Sequence, residues 1–321
     1  MRKASALIVT AGLVMTALTA CASPGISQAS CDAPVTTGAA SELVSASGNF
    51  GSAPDVTFPT PLKTTSTQRT EIISGSGTQA VAGQQLNVEL NVYNGTTGKV
   101  IQQAAYDGKN FIPVVLNGAG VKGLTDGLLC AQVGERVAIV VAPEDAFGAA
   151  GNDQFGVAPT DSLVVVADVV TAFLPRANGV DQTVANGLPA VVLDENGVPG
   201  VVIPNGDAPT MLEVGVLKKG AGEKVTEGST VTVNYSGILW KEKTVFDSSW
   251  ANGSPVPLVA AVGSATQPGV IAGMSTALIG QTVGSQIVMV IPPSLGYGGA
   301  ASAAIPADST LIFVVDILGI N

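Results

Sequence analysis

Gly273-Met274-Ser275 is the nearest approach to a nucleophile elbow in this chain, and it fails because the fifth position is Ala277. A serine nucleophile would also need a base, and the 321 residues contain no histidine. That absence removes Ser-His-Asp and Cys-His catalysis and every histidine-based metal site. The cysteines, Cys21, Cys31 and Cys130, form no Cys-x-x-Cys spacing. No glycine-rich loop followed by lysine succeeds a strand pattern. Most catalytic families are therefore excluded by missing residues, and no metal or cofactor is expected.

The elements that must carry such a site read as strands and turns. Gly 39 and Pro 19, with abundant Val and Thr, favour them over helices. A length of 321 residues suggests two domains, each able to bury a core. The net charge of −10, with few clustered cations, makes nucleic acid a poor partner. Residues 230–235 alternate, with Val231, Val233 and Tyr235 on one face. Residues 244–249 read as a second extended segment. Ile271, Met274 and Leu278 switch to helical spacing within 270–279, with Gly280 as its C-terminal cap. Residues 286–291 form a strand ended by Pro292-Pro293, and 309–318 an apolar last strand. The sum is an α+β layout: an antiparallel sheet with one short helix covering a face.

Residues 133–148 echo residues 283–298. Val133, Gly134, Val140, Pro143 and Gly148 match Val283, Gly284, Val290, Pro293 and Gly298. A repeat of this length implies two copies of one domain.

In the second copy a family becomes recognisable. Val231-x-Val-x-Tyr-x-Gly237, Val245-Phe-Asp-Ser-Ser249, Val270-Ile-x-Gly273, Leu278-x-Gly-x-x-Val-Gly284, Ile291-Pro-Pro293, Leu295-Gly-Tyr-Gly298, Ile305-Pro306 and Leu311-x-Phe313 followed by Asp316 resemble FKBP-type peptidyl-prolyl cis-trans isomerases over residues 209–320. The resemblance implies a curved antiparallel sheet wrapped around a short helix, with a prolyl pocket between them. It implies catalytic roles for Tyr235, Phe246, Asp247, Tyr297 and Phe313. It places substrate against Val256, Leu258, Val270, Ile271, Met274 and Ile305. The Tyr297 phenol would meet a peptide carbonyl, Asp247 would lie beside the twisted amide tied to the Tyr235 hydroxyl, and the Ile271 amide would hold the residue after proline. Met274 stands where the family usually has Trp, and Val256 and Leu258 where it has bulky aromatics. These departures imply a wider, softer pocket.

The first copy keeps the frame and changes the chemistry. Ile101-Gln102-Gln103 stands in the place of Phe246-Asp247-Ser248. Phe147 stands for Tyr297, Val165 for Phe313 and Leu124 for Met274. Residues 110–118 overlie 255–263. Tyr93 is a puzzle: Leu86, Val88, Leu90 and Val92 share one strand face, so Tyr93 should point the other way unless a bulge intervenes.

The expected organisation is a signal peptide over 1–20, a Ser/Ala/Gly-rich tether over 21–50, a degenerate FKBP-like domain over 51–174, a packed Pro/Gly-rich linker over 175–206 and an isomerase domain over 207–321. Met1-Arg2-Lys3 followed by a short apolar run is the layout of a secretory signal. Leu18-Thr19-Ala20-Cys21 resembles a bacterial lipobox, which implies acylation of Cys21 and a lipid anchor. Cys31 and Cys130 are then a possible disulfide. The expectation is a monomeric, membrane-anchored, extracytoplasmic isomerase whose partners are exported proteins with X-Pro bonds. The alternative is a non-enzymatic binding or chaperone lipoprotein on the same scaffold.

Overall fold

The computed structural model describes residues 31–184, 187–302 and 304–321. The signal segment 1–20 and Cys21 lie outside the described residues. Two antiparallel sheets dominate. In the first, strands run in the order Gln68–Ile73, Arg136–Val141, Leu163–Ala172, Gln85–Asn94, Val100–Gln103, and Ile112–Val115 also pairs with Gln85–Asn94. In the second the order is Val245–Ser248, Thr230–Leu239, Leu311–Ile320, Gln286–Ile291, Glu213–Lys219, Val180–Asp181, with Val256–Val259 on Thr230–Leu239. Each sheet curves over one short helix, Lys122–Leu128 or Ala272–Leu278. Both helices approach their sheet through a glycine. A Cβ on Gly123 would lie 2.4 Å from Val141, and one on Gly273 would lie 2.5 Å from Ile291.

Strand register fixes the correspondence between copies. A bulge follows Thr232 in one long strand and Asn87 in the other. Tyr235 then pairs with Val315 as Leu90 pairs with Ala167, so Leu90 holds the Tyr235 position. Tyr93 does face the other way. Its ring meets Phe58 edge-on at 5.7 Å on the outer face of the first sheet. Ile112 and Val114 take the places of Val256 and Leu258, which corrects the alignment of 110–118 by one position.

The outer face of each sheet is covered by the segment that precedes it. The tether reading of 21–50 does not hold for its second half. Ala39–Glu42 forms a helical turn, and Ser45–Ser47 pairs with Asp55–Thr57. Ala40, Val44 and Ala46 pack on Ala138, Val140, Val164 and Val166. Ala190–Leu193 and Pro199–Val202 form a hairpin, and its Val191 and Val201 lie on Ile238, Val288, Val290 and Ile312. Phe173 joins the sheets: its ring lies against Gly319, and the next amide, Leu174 N–H, donates to Leu318 O at 3.0 Å. Cys31 and Cys130 each take part in a disulfide.

One buried ion pair holds the first cover down. Arg136 and Asp168 are both fully buried, with Nε and Nη2 donating to the two carboxylate oxygens at 2.5 and 2.8 Å. Arg136 also donates to the carbonyls of Gly48, Asn49 and Ser52, and Gly51 N–H donates to Asp168 at 2.7 Å. The second domain has Gln286 and Asp316 at these positions. Asp316 accepts from Gln286 Nε2 at 2.6 Å and from Ala177 N–H at 2.8 Å. Burial pushes the Asp316 carboxyl above its ordinary range, against the pull of those hydrogen bonds.

Arg136→Gln should destabilise the first domain by about 3 kcal/mol, because Asp168 loses its cation and the Asn49 and Ser52 carbonyls lose their donor. Hydrogen exchange of strand Arg136–Val141 measures it, and unchanged protection would show that the glutamine of the second domain is an adequate replacement.

Candidate functional site

In the second domain the long central strand sets the site. Alternation along Thr230–Leu239 sends Val231, Val233 and Tyr235 toward the helix, where they join one apolar core. Gly237 is next on that face and has no side chain. Asp247 and Phe313 are its two cross-strand neighbours. The Phe246 and Phe313 rings meet over it at right angles, with centroids 5.6 Å apart. A Cβ on Gly237 would lie 2.6 Å from Phe246 and 3.0 Å from Phe313. The glycine is therefore what lets the two rings meet.

Asp247 is placed by its two C-terminal neighbours. Ser248 caps the short helix Ser249–Asn252, its Oγ accepting from Ala251 N–H at 3.4 Å. Ser249 Oγ accepts from the Tyr235 amide at 2.9 Å and donates to Asn234 Oδ1 at 3.0 Å. Across this frame the Tyr235 hydroxyl donates to Asp247 Oδ2. Burial, reinforced by the Asp247 carboxylate and the nearby Tyr297, pushes the Tyr235 phenol well above its ordinary value. Tyr235 thus keeps its proton throughout the physiological range.

These groups line a cavity of about 710 Å³. Met274 and Phe313 are nearly fully buried in its wall, with Tyr235, Phe246, Asp247, Leu258, Val270 and Ile271 around them. Tyr297 comes just after the 3-10 turn Pro293–Leu295 and stands at the rim, 48% exposed. The structure therefore brings nine of the residues chosen from sequence into one cavity: Tyr235, Phe246, Asp247, Leu258, Val270, Ile271, Met274, Tyr297 and Phe313. Val256 and Ile305 pack against the adjoining core instead of lining the space. Sequence reasoning missed a wall. Val262, Ser264 and Gln267 line the cavity from the connection between Val259 and the helix. Val270 N–H to Ala261 O and Gly263 N–H to Val270 O pin that connection to the helix entrance. The signal available was length: the connection spans residues 260–271 here and only 116–121 in the first domain.

The first domain has a cavity at the same place, about 460 Å³ in volume. Leu90, Ile101, Gln102, Leu124 and Phe147 line it where the second domain has Tyr235, Phe246, Asp247, Met274 and Tyr297. Val92 stands at the Gly237 position and Val165 at that of Phe313. No phenol and no carboxylate is present in that lining.

The sequence profile of the FKBP-type peptidyl-prolyl cis-trans isomerases matches residues 76–167 and 221–318. FK506-binding protein 2 of Yarrowia lipolytica is 39% identical over 115 residues, 34% of this chain and 76% of that one. An FK506-binding protein of Streptomyces anulatus is 33% identical over 124 residues, 38% of this chain and 96% of its own. The isomerase FkpA of Escherichia coli K12 is 39% identical over 106 residues, covering 33% of this chain and 36% of FkpA. With both matched regions built on the same sheet and helix, this chain belongs to the FKBP-type peptidyl-prolyl cis-trans isomerase family.

Proposed function

We propose that the second domain is the isomerase site, that the first has lost turnover, and that the protein acts on exported polypeptides from a lipid anchor. FKBP isomerases act on proline-containing protein substrates. One observation carries the assignment of the site: an apolar cavity floored by Met274 and Phe313 holds a single carboxylate, Asp247, already engaged by the Tyr235 hydroxyl.

Prolyl rotation faces a barrier of about 18–20 kcal/mol because twisting breaks amide resonance. The planar amide is the more polar form. A dry cavity disfavours it relative to the twisted one, and no bond is made or broken. Each factor of ten needs about 1.4 kcal/mol, within reach of a few oriented hydrogen bonds. In this reading the proline ring lies on Met274, Phe246 and Phe313. The Tyr297 hydroxyl donates to a substrate carbonyl, the Ile271 amide holds the residue after proline, and the Asp247 carboxylate faces the rotating amide. Cys21 is the acylated residue, Cys31 and Cys130 pair with each other, and the protein is a monomer. The Leu18-Thr19-Ala20-Cys21 sequence after a short apolar run supports the anchor.

A protease-free isomerisation assay on the full chain tests the site. Asp247→Ala and Tyr297→Phe should each lower kcat/KM by about 10- to 100-fold, and the pair together should reach background. Half the rate surviving in the double variant would place activity in the first domain as well. Gly237→Ala should push Phe246 and Phe313 apart, costing about 1–3 kcal/mol of stability and lowering kcat/KM in parallel. An unchanged rate would show that the ring contact does not shape the pocket. Cys21→Ser should move the protein from the membrane pellet to the soluble fraction, and retention in the pellet would sink the anchor.

A further inference from the structure

The first-domain cavity is not a filled-in relic. Its walls have changed together while an opening of about 460 Å³ persists, within the range of pockets that bury small ligands or side chains. Ile101 and Val165 stand where the second domain has phenylalanines, and Val92 stands at the position of Gly237. The lining contains no Asp, Glu, Lys or Arg; its polar side chains are Gln102, Asn117, Thr125 and Ser254. Such walls suit a neutral, apolar occupant, because a charge placed there would lose its water without gaining a partner. Phe147 and Phe155 lie beside each other at 6.1 Å on its lining, with Phe155 43% exposed.

The cavity also borders the second domain. Ser254 belongs to the second domain, on the loop beyond Asp247 and the helix Ser249–Asn252, and it lines the first-domain cavity. Asn117 Nδ2 fixes that loop by donating to Gly253 O at 2.7 Å and Ser254 Oγ at 3.1 Å. An apolar segment seated in the first cavity therefore lies against the loop whose other end carries the isomerase carboxylate.

We infer that the first-domain cavity is a holding site for an apolar or prolyl segment of the same unfolded polypeptide whose X-Pro bond is turned over in the second domain. The inference rests on the isomerase reading of the second domain. The missing phenol and carboxylate make the first cavity a site of binding without turnover. Two sites on one chain raise the effective concentration of a long substrate and do nothing for a short one.

The test compares a proline-containing tetrapeptide with a reduced, carboxymethylated protein whose refolding is limited by prolyl isomerisation. The full chain is compared with two rim variants, Ala119→Trp, which plugs the mouth from an exposed position, and Phe155→Lys, which charges it. Both variants should leave tetrapeptide kcat/KM unchanged and raise KM for the unfolded protein by ~10-fold or more. Fluorescence anisotropy of the labelled unfolded protein, on an Asp247→Ala background, should show the same loss of affinity. Equal KM and equal affinity in wild type and both variants would overturn the holding site. A dimer of the wild type that Ala119→Trp converts to monomer would also overturn it, by showing that a second copy covers the cavity. If the wild type leaves the tetrapeptide unaccelerated, the isomerase reading fails, and the anisotropy comparison still decides whether the first cavity binds.

Discussion

Asp168 must be neutralised where it stands, in the middle of a strand on the outer face of the first sheet. An unpaired carboxylate there would cost several kcal/mol. Arg136, directly opposite on the neighbouring strand, supplies the charge. Its remaining donors still need acceptors, and three carbonyls of residues 48–52 provide them. The covering segment is thus drawn onto the sheet by the unmet hydrogen bonds of a buried guanidinium. Apolar packing of Ala40, Val44 and Ala46 then completes the seal. The second sheet meets the same constraint with weaker means. Asp316 accepts from the Gln286 amide and the Ala177 N–H, and burial holds its carboxyl above the ordinary range despite them. In both domains the buried aspartate decides where the preceding chain must turn back.

On the inner faces the two copies differ by linked changes of volume. Two rings and a glycine in one domain correspond to Ile101, Val165 and Val92 in the other. Losing aromatic bulk at two positions and gaining a branched side chain at the third preserves a wall while abolishing the ring contact. The helix glycines, Gly123 and Gly273, are unchanged because a Cβ on them would lie 2.4 and 2.5 Å from a strand side chain. Frame positions tolerate nothing larger, whereas pocket positions have been exchanged as a set.

The second domain was legible because its constraints are local. Strand Gln286–Ile291 lies where the apolar run ends at Pro292, and Gly280 takes its left-handed turn after the helix. Tyr93 misleads because it is an aromatic in the right strand; only the bulge and the pairing show that Leu90 occupies the Tyr235 position. The covering segment was hidden for a different reason. Its buried residues are small and spread through Ser and Gly, so its composition reads as a tether. The ion pair that fixes it joins residues on two strands, and neither residue announces its partner. The cavity wall of Val262 and Gln267 has no periodicity at all and shows only as added length between strand and helix.

The site divides its polar work in a way that residue type alone does not reveal. Two tyrosines face one cavity, yet they are not equivalent. Tyr235 spends its proton on Asp247, and its amide is held by Ser249, so it fixes the carboxylate's direction. Tyr297 is exposed at the rim, placed to meet a substrate carbonyl on the proposed reading. Rotation about an amide transfers no proton, so a phenol that is hard to ionise and a carboxylate already oriented are assets. On the proposed reading neither has to reorganise as the substrate twists, and a preorganised dipole shielded from water contributes more than a mobile one in bulk solvent. A chain without histidine is therefore well matched to this chemistry. What the second domain needed was geometry, and Gly237 supplies it by letting two phenyl rings close over a bare position beside the carboxylate.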